Sequence, residues 1–341
     1  MTHTLNLAHN QQITPERLFS AINSYQLTEA IKSAIELELF SVISEGNGTS
    51  AMISKRCHAS ERGIRILCDF LTIHNFLTKQ GTTYSLTEDS ALFLDRHSPA
   101  YVGSAIEFLL TPRLRECHAR LTEAVRRGGT ALGEGMLEPE NPDWVKYAQG
   151  MMPMARRPAE IIAAELRREG ESRKVLDVAA GHGMFGISVA KQNPAAHIYA
   201  SDWQKVLEVA QKNADAMGVG DRYHLIPGSA FETDFGNGYD LALITNLLHG
   251  FDMPTCTKLM RKVHVALGAG GRAAIAEYVP NPDRVSPPIA AAFSLTMLAA
   301  TSSGDSYTFA ELEGMATDAG FMRIELSPAE LGRNRLLIAY R

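Results

Sequence analysis

Apolar residues in the first half of the chain recur at helical spacing, whereas in the second half they gather into short runs. Between residues 27 and 43, Ala30, Ile31, Ala34, Ile35, Leu37, Leu39 and Phe40 make a stripe broad enough for heavy burial in a helix. Asn47-Gly48-Thr49-Ser50 interrupts that pattern and offers an N-cap for a short helix. Ser60 opens another, with Ile64, Leu67, Leu71 and Ile73 on its apolar side, and residues 77–87 read as two short strands around Gly81. Three helices and a hairpin describe a winged-helix unit, placed at residues 1–100. Helical pattern continues over 101–170, broken at Gly128-Gly129 and at Glu138-Pro139-Glu140-Asn141-Pro142. From Lys174 onward strands alternate with helices, the strands being expected at 174–178, 197–200, 223–226, 241–245, 272–277, 322–326 and 336–340. Seven strands with interleaved helices predict an α/β fold, a Rossmann-like sheet over residues 171–341 whose ligand sits beyond the strand C-termini. The last two runs read as a closing hairpin that adds an antiparallel strand.

At 341 residues the chain is long enough for two domains with separate cores. A net charge of −5 without a long basic run argues against nucleic-acid binding. The would-be recognition helix over 60–75 carries only Arg62 and Arg65 as cations, offset by Glu61 and Asp69. The winged-helix unit is therefore expected to serve as a dimerisation module and part of the substrate wall, in a homodimer. Cys57, Cys68, Cys117 and Cys256 form no C-x-x-C pair and read as free thiols of a reducing compartment. Met1-Thr2-His3-Thr4-Leu5-Asn6 carries no basic segment followed by an apolar core, so no signal peptide is expected. The longest weakly polar stretch, 289–300, contains Ser294 and Thr296 and is too short to span a bilayer. The expectation is a cytoplasmic protein without membrane association, and without a metal, since no His, Asp or Cys cluster has ligand spacing.

The run Val175-Leu176-Asp177-Val178-Ala179-Ala180-Gly181-His182-Gly183-Met184-Phe185-Gly186 brings a strand to a carboxylate, crosses a small-residue turn and enters a helix. Nineteen residues beyond Gly183, Asp202 follows a second apolar run at 197–201. This is the arrangement of a nucleotide-type site at the first strand-to-helix crossover. Small residues admit a ligand close to the backbone, and the second carboxylate sits where a ribose diol would be held. Residues 181–186 satisfy G-x-G-x-x-G, which keeps a dinucleotide among the ligands. Asp177 speaks against it, because a carboxylate at the strand end opposes a pyrophosphate and suits an ammonium. S-Adenosylmethionine presents an ammonium at one end and a ribose at the other, one for each carboxylate. A turn with no ligand is the third reading.

Lined up in order, these segments resemble the small-molecule O-methyltransferases with an N-terminal winged-helix dimerisation domain, a group that includes plant caffeic-acid-type and bacterial antibiotic and phenazine enzymes. The resemblance covers nearly the whole chain, residues 28–341. The family's V-D-V-G-G-G-x-G is matched by Leu176-Asp177-Val178-Ala179-Ala180-Gly181-His182-Gly183, with two glycines replaced by alanines, a mild change in size. Its D-L-P-x-V is matched by Asp202-Trp203-Gln204-Lys205-Val206, which implies Asp202 on the ribose hydroxyls and Trp203 against the adenine. Its G-D-M-F corresponds to Gly228-Ser229-Ala230-Phe231; Ser229 replaces an aspartate near the adenine amino group and Phe231 walls the base. Asp177, Ala180, Gly181, Gly183, Ala230 and Thr245 complete the implied S-adenosylmethionine site, together with Met151, where the family often has a methionine facing the cofactor.

The family's L-H-D-W appears as Leu248-His249-Gly250-Phe251, just after the strand at 241–245. Methyl transfer from a sulfonium is an in-line substitution, and a neutral phenol is a poor nucleophile. An imidazole titrating near pH 6.5 can take the phenolic proton as oxygen attacks. The resemblance thus implies His249 as general base, oriented by Glu277 at the end of the next strand. A second family glutamate aligns with Ser306, and Asp305 stands one residue away as a possible substitute. Asp252 is expected to cap the helix that begins near Pro254.

Acceptor specificity is expected from Trp144, Tyr147, Met152 and Met154 before the sheet domain, and from Phe293, Met297 and Leu298 after it. Methionine and aromatic side chains suit a flat hydroxylated aromatic, although each of these residues reads equally well as plain core. His182 is expected as a loop side chain near the cofactor, and His224 and His264 as structural. The functional expectation is methyl transfer from S-adenosylmethionine to a hydroxyl of an aromatic or polyketide-like small molecule. Carbon or nitrogen methylation, non-methylating chemistry in a cofactor-binding relative, and a ligand-sensing winged-helix DNA regulator stay open beside it.

Overall fold

The computed structural model describes residues 14–168 and 170–341, so the expectation drawn from residues 1–6 lies outside the described residues. The chain divides into two compact units, one ending at Gly103 and the other spanning Ser104–Arg341. Among the described residues no helix is long and apolar enough to cross a membrane.

The first unit contains α1 (Glu16–Ile22), α2 (Ser24–Glu36), α3 (Leu39–Ser44), α4 (Ser50–Arg56) and α5 (Glu61–Ile73). A hairpin of β1 (Leu77–Gln80) and β2 (Thr83–Leu86) and a short α6 (Glu88–Phe93) complete it. Thr49, Ser60 and Thr87 cap α4, α5 and α6 by accepting the amides of Met52, Gly63 and Ser90. The stripe over 27–43 predicts one helix, and the structure corrects this to two. Glu38 adopts a left-handed φ of 53° between α2 and α3, and Leu39, Phe40, Ser41, Val42 and Ile43 are all buried. A single amphipathic helix cannot bury five successive residues; a short one enclosed on every side can. On α5, Arg65 is engaged by Asp69 of the same helix at 3.1 Å.

The second unit opens with α7 (Ile106–Leu109), α8 (Pro112–Ala119), α9 (Leu121–Arg127), α10 (Asp143–Gly150) and α11 (Met152–Arg168). Then come β3 (Lys174–Val178), α12 (Met184–Gln192), β4 (His197–Asp202), α13 (Gln204–Ala216), β5 (Tyr223–Pro227) and β6 (Tyr239–Thr245). The chain closes with α14 (Met253–Ala266), β7 (Leu267–Glu277), α15 (Pro288–Ala300), α16 (Phe309–Ala319), β8 (Arg323–Leu326) and β9 (Arg335–Tyr340). The seven strands lie in the order β5-β4-β3-β6-β7-β9-β8. Neighbours are parallel through β7, and β9 runs antiparallel to both β7 and β8, the closing hairpin expected from sequence.

Side-chain alternation gives the sheet two apolar faces. Val175, Ile198 and Leu243 face α11, α12 and α13, while Leu176, Ile244 and Ile275 face α14 and α16. Met152, expected in the acceptor wall, packs against the first of these cores instead, because α11 lies on the sheet. Strand order reverses between β3 and β6, which opens a crevice beyond their C-terminal ends, where Asp202 and Thr245 terminate strands and Asp177 is the last residue but one of β3.

The turn after β3 carries a departure that size alone does not reveal. Ala179 sits at φ 52°, in the left-handed region, whereas Ala180 is outside it. A Cβ there costs about 1 kcal/mol, so this alanine is not the mild replacement that the sequence suggests. Ala179→Gly is expected to raise stability by ~0.5–1 kcal/mol, read by thermal unfolding. An unchanged or lower melting temperature would show the turn to be unstrained.

Candidate active site

Two strand-end carboxylates organise the β3 side of the crevice. Asp202 Oδ2 accepts the Gly181 amide at 2.8 Å and its Oδ1 accepts the Trp203 amide at 2.7 Å. Burial pushes its pKa up to about 6, the two amides restraining the rise. The group is half-buried at the mouth, and each oxygen keeps a lone pair for a further donor. Asp177 is placed differently. It is sealed from solvent, its Oδ2 accepts the Gly186 amide at 3.1 Å, and its Oδ1 has no hydrogen-bond partner in the protein.

The sequence argument set Asp177 against an ammonium in the cleft, and the structure corrects it. Alternation along β3 directs the side chain onto the sheet face beneath α12, where it touches the helix start. Burial pushes its pKa up to about 7, opposed by the Gly186 amide and reinforced by the Asp202 charge.

The helical segment before the sheet covers this turn. A Cβ built on Gly181 would lie 3.4 Å from Tyr147 Cε1, and the Tyr147 ring stacks on His182 at 6.1 Å and 15°. His182 Nδ1 accepts the Met184 amide at 3.2 Å, and burial pushes its pKa down to about 4, so the ring is neutral with the proton on Nε2. Tyr147, expected in the acceptor wall, therefore lies over the cofactor turn, and Met151 follows it at the end of α10, its amide bonded to the Tyr147 carbonyl at 2.9 Å. Trp144 and Phe108 join Tyr147 in one aromatic group, and Trp144 also packs against Met136, Ala299 and Ala300. Met154 and Leu298 are partly buried.

On the other side of Asp202, Trp203 is partly buried at the start of α13. Ser229 Oγ accepts the Phe231 amide at 3.3 Å, and the Ala230 carbonyl accepts Lys262 Nζ at 2.9 Å. Phe231 meets Phe251 edge-on at 4.8 Å, so the loop after β5 is fixed to the loop after β6. Thr245 is buried at the end of β6.

The sharpest geometry surrounds His249. Its Nδ1 lies 2.6 Å from Glu277 Oε2, while Oε1 of the same carboxylate accepts the Leu247 and Leu248 amides at 2.8 and 2.7 Å. Both residues are largely buried, and Glu277 leaves Nε2 as the imidazole nitrogen free for a substrate. The short turn bearing His249 is held from several directions. Cys256 Sγ donates to the Leu248 carbonyl at 3.0 Å, Tyr307 Oη to the Phe251 carbonyl at 2.5 Å, and Asp252 caps α14 by accepting the Thr255 amide at 2.8 Å, as expected.

Phe293 stands edge-on to His249 at 5.0 Å, and Met297, one helical turn further along α15, is buried. Tyr278 stacks on Phe293 at 4.0 Å and reaches within 6.1 Å of His249. It was missed from sequence, although its place directly after Glu277 at a strand end was a usable signal. Asp305 is not brought to the histidine. It lies half-exposed and pairs with Arg284 at 3.4 Å, while Glu277 occupies His249 Nδ1. Among the described residues no group of three or more His, Cys, Asp or Glu side chains could hold a metal ion.

A crevice at the switch point of the sheet, with a small-residue turn on one side and a carboxylate-oriented histidine on the other, puts this chain among the α/β enzymes with a nucleotide-type site. Comparison with known proteins carries the assignment further. The O-methyltransferase domain profile matches residues 119–322, and that of the O-methyltransferase dimerisation domain matches residues 19–96. A crystal structure from Nostoc punctiforme PCC 73102, named as a candidate O-methyltransferase, is 50% identical with a TM-score of 0.94, covering 96% of this chain and 100% of that one. The 3-hydroxy-5-methyl-1-naphthoate 3-O-methyltransferase of Streptomyces sahachiroi is 26% identical over 298 residues, 86% of this chain and 85% of that protein. Human N-acetylserotonin methyltransferase, solved in complex with S-adenosylmethionine, shares the fold at 20% identity with a TM-score of 0.82, over 97% of this chain and 99% of that one. The chain belongs to the S-adenosylmethionine-dependent O-methyltransferase family with an N-terminal dimerisation domain.

The buried carboxylate at Asp177 makes a measurable prediction. Its folded pKa of about 7 lies above the ~4 of an unfolded aspartate, so its protonated form is favoured in the fold. Stability is retained at low pH and falls as pH climbs from ~4 through about 7. Asp177→Asn removes that dependence. The wild type should lose melting temperature relative to this variant between pH 5 and 8, and a constant difference would refute a buried ionisation.

Proposed function

We propose that this protein transfers the methyl group of S-adenosylmethionine to a hydroxyl of an aromatic or polyketide-like small molecule, with His249 as general base. The observation that carries the reading is the His249–Glu277 pair at 2.6 Å, just beyond the C-terminal end of β6 and at that of β7. The side chains present fit the cofactor. Asp202 keeps lone pairs for a ribose diol, Trp203 and Phe231 offer apolar surface for the base, and the glycines at 181 and 183 keep side-chain bulk off the turn at those two positions. When bound, the cofactor supplies an electrophilic methyl group on a sulfonium.

The protein's own residues do the rest. Glu277 accepts a hydrogen bond from Nδ1–H, which fixes the tautomer with its lone pair on Nε2. Nε2 takes the acceptor's hydroxyl proton as the oxygen becomes a nucleophile, and Glu277 stabilises the imidazolium that results. Phe293 and Tyr278 form a stacked wall beside the imidazole that suits a flat acceptor ring. General-base help of this kind contributes about 10²–10⁴-fold, the remainder coming from alignment of oxygen and methyl. For the homodimer, the support is the dimerisation-domain match together with α1, which buries no residue and exposes Leu18, Phe19 and Ile22.

The test is transfer of a trideuteromethyl group to a panel of phenols, catechols and hydroxyquinones, followed by mass spectrometry. His249→Ala should lower kcat by ~10²–10⁴-fold. Glu277→Gln should do nearly the same while the protein stays folded. Its amide oxygen can still accept the Leu247 and Leu248 amides, but its NH2 would face Nδ1 and move the imidazole proton to Nε2. Transfer that survives both substitutions would sink the base assignment and keep the enzyme class. Label arriving on carbon or nitrogen would move the chain to another acceptor atom.

The two buried carboxylates also predict how binding responds to pH. Ionised Asp177 beneath the turn and ionised Asp202 at the mouth place negative charge beside the cleft, where burial weakens its screening. Affinity for S-adenosylmethionine should rise between pH 5.5 and 8 as both lose protons. Affinity for S-adenosylhomocysteine, which lacks the sulfonium charge, should rise less. Calorimetry that found parallel pH profiles for the two would remove the field effect.

A further inference from the structure

We propose that Tyr223 is a positioning residue for the cofactor turn, joined to the Asp177 carboxylate by one internal water beneath Gly183. This rests on the S-adenosylmethionine reading above. Tyr223 begins β5 at the sheet edge, is 4% exposed, and has a hydroxyl without a hydrogen-bond partner in the protein. Asp177 Oδ1 is unpartnered as well.

The two side chains share a sheet face. Asp177 pairs with Ala200, Ile198 pairs with Tyr223, and residues 198 and 200 of β4 point the same way. Ser201, whose hydroxyl is also unpartnered, points to the opposite face and takes no part. The Tyr223 hydroxyl and the Asp177 carboxylate lie along one stretch of chain, Gly183 just before α12 and Gly186 in its first turn. A Cβ on Gly183 would come 2.7 Å from Tyr223 Oη, and one on Gly186 would come 2.7 Å from Asp177 Oδ2.

A phenol and a carboxylate oxygen, each sealed from solvent and out of bonding range of each other, lose about 1–3 kcal/mol apiece unless something joins them. The surroundings narrow the choice. α12 and α13 present Ile187 and Ala210 beside the hydroxyl, and Ile198 lines the floor. Of the titratable groups on the adjoining turn and strand end, the Tyr147 phenol is pushed up by burial, His182 is neutral, and Asp202 has both oxygens on backbone amides. No cation is present among them. A water donating to Oδ1 and accepting from, or donating to, Oη satisfies both atoms. Tyr223 thereby steadies ionised Asp177, Asp177 holds the Gly186 amide, and the turn keeps the shape that receives the cofactor.

The experiment is a double-mutant cycle with Tyr223→Phe and Asp177→Asn, measured by calorimetric binding of S-adenosylmethionine from pH 5.5 to 8.5. Tyr223→Phe should weaken binding about fivefold and move the midpoint of its pH dependence upward, because the carboxylate loses a donor. Adding Tyr223→Phe to Asp177→Asn should change neither. Wild-type affinity and midpoint in Tyr223→Phe, or effects that simply multiply, would overturn the proposal. A high-resolution crystal structure of the wild type gives a second reading that needs no variant to fold. Density for a water between Oη and Oδ1 supports the bridge, and a dry gap there refutes it. If the wild type binds no S-adenosylmethionine, the functional reading fails, while that water and the coupling of the two substitutions in ligand-free melting still decide the bridge.

Discussion

Backbone amides released at the ends of parallel strands need acceptors, and here strand-end carboxylates supply them. Asp202 at the end of β4 holds the Gly181 amide of the loop leaving β3. Glu277 at the end of β7 holds the Leu247 and Leu248 amides of the loop leaving β6. Asp177 holds the Gly186 amide at the start of α12. In the first two cases one strand fixes the loop of its neighbour, so the sheet's lateral hydrogen bonding extends one step into the crevice. Under the function proposed above, each carboxylate then has a second use: Asp202 at the mouth, Glu277 on His249, Asp177 through its field. Site and scaffold cannot be separated at these three positions.

That economy has an energetic side. A carboxylate kept out of water is tolerable only where donors converge on it. Glu277 receives two amides and an imidazole and is complete. Asp177 receives one amide and keeps an orphan oxygen, and its proton affinity rises accordingly. The strained alanine at 179 lies in the same turn. Strain and incomplete pairing thus gather where the backbone must approach a ligand, which is where folded proteins ordinarily store both.

Much of this was legible in the residues. The alternation of short apolar runs with helical stripes located the seven strands to within a few positions, and the last two runs read as the closing hairpin that they form. Glu277 and His249 were found because a strand end and a motif pointed to the same spot. What escaped notice depended on direction in space. Whether Asp177 faced the cleft or the sheet was a matter of register. Asp305 stood at a plausible distance along the chain and pairs with Arg284 instead. Ala179 looked harmless because size is visible in a sequence and φ is not. The break at Glu38 hid inside a continuous apolar stripe, since a stripe buried on all sides has no period left to read.

Gly304 carries an implication for how this protein can change. A Cβ there would fall 2.2 Å from the His249 carbonyl oxygen, and one on Gly135 would fall 2.1 Å from that of Ala300. Bare backbone presses on backbone at both ends of the segment that follows α15. Such contacts leave no slack for that segment to drift as its surroundings mutate. New acceptors would have to be accommodated by exchanging side chains along α15, such as Phe293 and Met297, while the main chain around the histidine stays still. In evolutionary terms, and under the function proposed above, the backbone beneath the histidine would be inherited whole and selectivity would be the part free to diverge.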